Sequence, residues 1–198
     1  MITTEHAAVA EHHPDLQDQR KVAMWVFLGS EVLLFGTLIS TFLLYRSRFG
    51  DGPTAEEIFD IPFTSISSFV LLMSSLTMVL AHYSATRKDW RQMRVWLFAT
   101  AGLGLVFLSG QVFEFTVFVE EGLTWTTSPF GSSFYMLTGF HGAHVAIGVL
   151  MLLATAFMSM GGRMRSEGGM NVELVGLYWH FVDIVWIAIF TIVYLLQV

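Results

Sequence analysis

The sequence predicts an all-α polytopic membrane protein, a bundle of five transmembrane helices, and three observations predict it. Hydrophobic residues make up 54% of the 198 and charged residues only 13%, against about 25% charge in a soluble globular chain; mean hydropathy is +0.61. The apolar residues gather in five stretches, each long enough to cross a hydrocarbon core, which takes about 20 residues in a helix. The connections are short and carry Gly, Pro and charge, leaving no room for a soluble domain between spans.

In chain order, residues 1–21 are polar and acidic, with His6, His12, His13 and Pro14. They lack the basic start and apolar core of a signal peptide and read as a cytoplasmic tail. Residues 22–198 form one membrane domain, with helices expected at about 22–45, 61–83, 95–119, 132–160 and 172–198. Orientation follows from Lys and Arg, which cytoplasmic loops retain. Arg20 and Lys21 precede the first helix, Arg87, Lys88, Arg91 and Arg94 lie around the second connection, and Arg163 and Arg165 lie in the fourth. Only Arg46 and Arg48 fall on the other side, among Asp51, Glu56, Glu57, Asp60, Glu120 and Glu121. The amino end is expected in the cytoplasm and the carboxyl end outside.

Ionisable groups inside the spans are the candidate functional residues, because a charge facing lipid is costly and such groups must face protein or water. The first helix carries Gly29-Ser30-Glu31-Val32. At 1.5 Å per residue Glu31 lies on the order of 14 Å deep, Asp183 of the fifth helix about 16 Å, and His144 of the fourth roughly 12 Å above the inner edge. The three share a depth at which they can pair. In the fourth helix His141 and His144 share a face, and Gly139 and Gly142 let a neighbour come close. In the fifth, His180 and Asp183 also share a face. Gln111 and Glu114 of the third helix are placed near its outer end, Glu114 shallow enough to reach headgroups or water, and His82 at the end of the second reads as interfacial. Trp179, Trp186 and the many Phe read as packing and interfacial anchors. The Arg87, Lys88, Arg91, Arg94 cluster sets topology and is a candidate for anionic lipid headgroups.

Composition excludes several chemistries. With no cysteine there is no disulfide, thiolate nucleophile, iron–sulfur cluster or thiolate-bridged copper. A net charge of -6 offers no basic surface to nucleic acid. His141, His144, His180 and Asp183 would suit zinc or iron by residue type, yet the Glu-x-x-His pairs of a di-iron bundle are missing, so no metal is expected here. Buried Glu31 reads equally as a proton-handling acid and as a hydrogen-bonded helix lock.

Three motifs then carry a family resemblance. Ser30-Glu31-Val32, Thr138-Gly139-Phe140-His141-Gly142-x-His144-Val145 and Tyr178-Trp179-His180-Phe181-Val182-Asp183, with Glu173 seven residues before His180, resemble subunit III of the haem-copper terminal oxidases in its bacterial five-helix form. The stretch from Gly52-Pro53-Thr54 to Ile58-Phe59-Asp60-Ile61-Pro62-Phe63 is similar to quinol-oxidase members, and the Ser-Glu-Val glutamate to the cytochrome c oxidase branch. The resemblance implies an accessory subunit of the respiratory chain with no catalytic group or redox cofactor of its own, in a bacterial inner membrane. Haem and copper would lie in subunit I, its direct partner, with subunit II, small subunits, bound phospholipid and a respiratory supercomplex as further associations. It implies support of stability, proton uptake and oxygen access in an enzyme that reduces oxygen to water and moves protons. Glu31 matches the family carboxylate that reacts with carbodiimides, and Glu31, His141, His144, Glu173, His180 and Asp183 are expected as a proton-linked or buried polar set. The two amino-terminal helices of the long family form are absent from this sequence. Other readings are a nitric oxide reductase subunit, a stand-alone proton or ion transporter and, weakest, a membrane metalloenzyme; the transporter would lack the interrupted helices of that class.

Overall fold

The computed structural model describes residues 16–50, 53–54, 59–160 and 168–196. The expectations for residues 1–15, and for Asp51, Glu56, Glu57, Arg163 and Arg165, lie outside the described residues, as do Gly52 and Ile58 of the stretch similar to quinol oxidases. Among the described residues the chain is all-helical, with five helices long and apolar enough to cross a membrane. They are α1 (Leu16–Tyr45), α2 (Ile61–Thr86), α3 (Trp90–Glu120), α4 (Pro129–Met160) and α5 (Gly168–Phe190), the last continued by a π-helical turn at Thr191–Leu195.

Every helix except α2 begins ahead of the start that hydropathy marks, and α2 runs past its expected end. Apolar content locates the segment that sits in hydrocarbon, whereas capping residues set where a helix begins. Asp60 accepts a hydrogen bond from the Phe63 amide at 3.1 Å and Asp89 from the Gln92 amide at 3.0 Å, so α2 and α3 start directly after aspartates. Ser128 accepts from the Gly131 amide at 3.0 Å, with Pro129 at the first helical position of α4. The α3 terminus is closed by Gly122 at φ 93°, a left-handed position where glycine costs least, followed by a Leu123 amide bond to the Phe118 carbonyl at 2.8 Å.

α2 packs between α3 and α5, and α4 closes the four-helix group by packing on α3 and α5. α1 lies outside that group against α4 and α5. Its buried residues, Leu28, Phe35 and Phe42, recur every seven positions, the spacing of a single coiled-coil seam. Away from that stripe α1 exposes Val22, Trp25, Val26, Val32 and Leu33.

The core of the four-helix group is built on two tryptophans of α5. Trp179 and Trp186 are 1% and 2% exposed, so each indole N–H needs a partner inside the protein. Both find a serine on α2: Trp179 Nε1 donates to Ser74 Oγ at 2.9 Å and Trp186 Nε1 to Ser68 Oγ at 2.8 Å. Glycines make room for the Trp179 ring, since a Cβ on Gly104 of α3 or Gly148 of α4 would stand 2.6 or 2.8 Å from it. The tryptophans are therefore packing elements of the interior and not interfacial anchors. Of the two glycines expected to admit a neighbour, Gly142 does so, a Cβ there meeting Gln111 Oε1 at 2.7 Å, while a Cβ on Gly139 would have nothing within 4 Å.

Candidate functional site

Glu31 falls on the α1 stripe that faces the bundle, between Leu28 and Phe35. Its Oε2 lies 3.1 Å from His144 Nε2 on α4, with the two side chains 14% and 13% exposed. The other ring nitrogen, Nδ1, lies 2.7 Å from the Phe140 carbonyl. A carbonyl can only accept, so Nδ1 carries a proton. The contact between Nε2 and Oε2 then requires one shared proton, carried either as a carboxylic acid donating to neutral imidazole or as an imidazolium donating to carboxylate. Both states are neutral overall, and they differ only in where that proton sits. Phe35 packs edge-on against the ring at 5.0 Å, and the Tyr178 hydroxyl of α5 donates to the His144 carbonyl at 3.1 Å. Residues of α1, α4 and α5 meet at this point.

Asp183 does not join Glu31 and His144. Its carboxylate turns to α2, where Ser75 Oγ donates to Oδ2 at 2.7 Å, and His180 Nδ1 lies 3.2 Å from the same hydroxyl. Equal depth made a single triad possible, but the facing of α5 toward α2 separates the residues into two groups. His141 is fully buried and joins neither. Its ring stacks on Trp186 at 4.8 Å and meets Phe107 edge-on at 5.9 Å, and neither nitrogen has a hydrogen-bond partner among the described residues. Glu173 pairs with Lys21 at 2.8 Å, both side chains about a third exposed, and ties the start of α5 to α1 away from the other groups.

The clearest departure from the sequence reading is Glu114. It is only 6% exposed, and the Thr64 hydroxyl of α2 donates to its Oε1 while also lying 3.0 Å from the Asp60 carbonyl. Height along the helix suggested access to headgroups, but the lateral cover of α2 removes it. One turn deeper, Gln111 Nε2 donates to the Thr138 carbonyl of α4 at 2.8 Å. Sequence reasoning also missed the partners on α2. Thr64, Ser68, Leu71, Ser75, Met78 and His82 recur at spacings of four and three, which places hydroxyls along one helical face, and that periodicity was available in the sequence. His82 is half-buried and its Nδ1 has no partner among the described residues.

At the basic connection Arg87 stacks over the Tyr83 ring at 4.6 Å, and Lys88 makes the turn at φ 60°. Arg87 lines a groove of about 270 Å³ with Leu80, Tyr83, Asp89, Gln92 and Trp96. Arg91 is exposed and Arg94 half-buried, and neither lines it. Among the described residues no three His, Asp or Glu side chains converge as a metal-ligand group.

Residues 1–198 match the family model described as Cytochrome c oxidase subunit III. The chain is 39% identical over 190 residues to cytochrome c oxidase subunit 3 of Bacillus sp. strain PS3, covering 96% of this chain and 92% of that one. It is 41% identical over 197 residues to cytochrome c oxidase subunit 3 of Bacillus subtilis strain 168, covering 98% and 95%. It is also 35% identical over 175 residues to quinol oxidase subunit 3 of the same organism, covering 88% and 86%.

Proposed function

This chain belongs to the cytochrome c oxidase subunit III family, and from that premise we propose that it works as a non-catalytic subunit of a haem-copper respiratory oxidase. In this reading it sits in a bacterial inner membrane with its amino end in the cytoplasm and packs on subunit I, beside subunit II. The oxidase reduces oxygen to water and moves protons, and haem and copper supply the redox chemistry from the partner subunits. Among the described residues no three His, Asp or Glu side chains converge on such a centre: His144 is committed to Glu31 and Phe140, and the His141 ring is enclosed by Trp186 and Phe107.

The observation that carries the reading of the site is the Glu31–His144 contact at 3.1 Å. It joins two of the three family motifs across a seam, inside the hydrocarbon span of each helix. There it does two jobs. It pins the outlying helix α1 to the bundle, and it holds one proton in a neutral pair that can change partner without creating net charge, which suits a group that tunes proton supply to subunit I. Phospholipid headgroups are bound at the basic connection, through Arg87 in its groove and through Lys88, Arg91 and Arg94 around it.

The test is isolation of the native complex through a tag on this chain, with an optical spectrum, subunit masses and oxygen uptake. A haem-bearing large subunit in equal amount is expected, whereas a colourless preparation of this chain alone would overturn the reading. In the same complex Glu31→Gln is expected to leave assembly intact and lower turnover and proton uptake. Unchanged turnover, proton uptake and stability together would remove Glu31 from the mechanism.

A further inference from the structure

Ser75 is the hub of a second polar group, at the seam of α2 and α5. A hydroxyl has one proton to give, and Ser75 Oγ donates it to Asp183 Oδ2 at 2.7 Å. Toward His180 Nδ1, at 3.2 Å, the same oxygen must accept, so Nδ1 carries the imidazole proton and Nε2 presents a lone pair. The hydrogen bonds run in one direction, from imidazole to hydroxyl to carboxylate. The accessibility runs the same way: His180 and Ser75 are half-buried, Asp183 is 5% exposed, and Asp183 Oδ1 is buried without a partner among the described residues. A helix clamp would need only the Ser75 bond, and an asparagine would make it without a carboxylate in the membrane interior, where an ionised acid is costly.

We infer that His180, Ser75 and Asp183 form a reversible proton-loading site, with His180 as its entrance and Asp183 as its store. A proton from a neighbouring donor binds His180 Nε2. The Nδ1–H bond breaks as a new bond forms to Ser75 Oγ, and the original Ser75 O–H proton passes to Asp183 Oδ2. The products are a neutral carboxylic acid, an intact serine and an imidazole protonated on Nε2; the reverse transfer unloads the site. Among the described residues, His82 of α2 is the electrostatic neighbour of His180, and the elements packed here also carry the Lys21–Glu173 pair at the start of α5 and the Glu31–His144 pair between α1 and α4. His82 lies two turns from Ser75 toward the basic connection and offers an approach from that face.

The inference deepens the oxidase reading, and relies on it only for where the stored proton goes. Infrared difference spectra of the purified complex after a pH jump, in water and in deuterium oxide, read the store directly. A carboxylic C=O band that shifts in deuterium oxide and is lost in Asp183→Asn is expected, as is slower loading in Ser75→Ala, by on the order of 100-fold, the contribution of a positioned proton-transfer group. Ser75→Thr should restore the rate. Should Ser75→Ala fail to assemble, His180→Gln keeps a hydrogen-bonding group but cannot carry a proton through, and loading should slow equally. Absence of the Asp183 band at every pH, or loading unchanged in these variants, overturns the site. Haem content and oxygen uptake of the same preparation report separately on the oxidase reading.

Discussion

Glu31 and His144 were legible in the sequence because depth can be counted along a helix, and two ionisable groups at one depth in hydrocarbon have strong reason to meet. Asp183 stands at a similar depth but bonds Ser75, a residue type too common for its pairing to be read from a pattern. Glu114 was misplaced for a related reason: counting residues gives height in the membrane and says nothing of which neighbour covers a side chain. At this scale two outcomes are expected. Glu31→Ala removes the hydrogen-bond partner of His144 Nε2 and should cost about 1 to 2 kcal/mol in the membrane, whereas the amide of Glu31→Gln can still donate to that nitrogen and should cost less. Titration of the complex with a denaturing detergent measures the difference. Ser74→Ala leaves the Trp179 indole N–H without its acceptor and should cost about 1 to 3 kcal/mol in the same titration.

The helices themselves were the most legible feature, since five long apolar runs leave few alternatives. Their ends were less so, because the residues that set them are polar and lie outside the hydropathy signal. Asp89→Ala removes the acceptor of the Gln92 amide and should destabilise the start of α3 by about 1 kcal/mol, seen as faster amide exchange in its first turn. The contact of α3, α4 and α5 around Trp179 depends on Gly104 and Gly148. The sequence marks them as small but does not say which ring they face. Gly148→Ala places a Cβ 2.8 Å from that ring and should cost about 1 to 3 kcal/mol through overpacking, with a shift in Trp fluorescence on assembly.

For the whole molecule, the bundle and the family motifs could be read from the sequence, while the peripheral position of α1 could not, because all five runs are similarly apolar. The absence of cysteine makes the proposed orientation easy to test. Single cysteines replacing Lys88 and Glu121 should react with an impermeant maleimide from opposite faces of sealed vesicles, Lys88→Cys from the cytoplasmic face; labelling from the reverse faces would invert the topology. The seam between α1 and α4 also has a consequence in time. Glu31 and His144 are 113 positions apart, so at a synthesis rate of about 5 to 20 residues per second the first helix waits roughly 6 to 23 s before its partner exists. Throughout that interval α1 stands in the bilayer with the Glu31 carboxyl group unmatched. The nascent chain therefore needs a temporary host for α1, supplied by the insertion machinery or by lipid, and variants that add charge to its apolar span should be lost during biogenesis rather than from the finished complex.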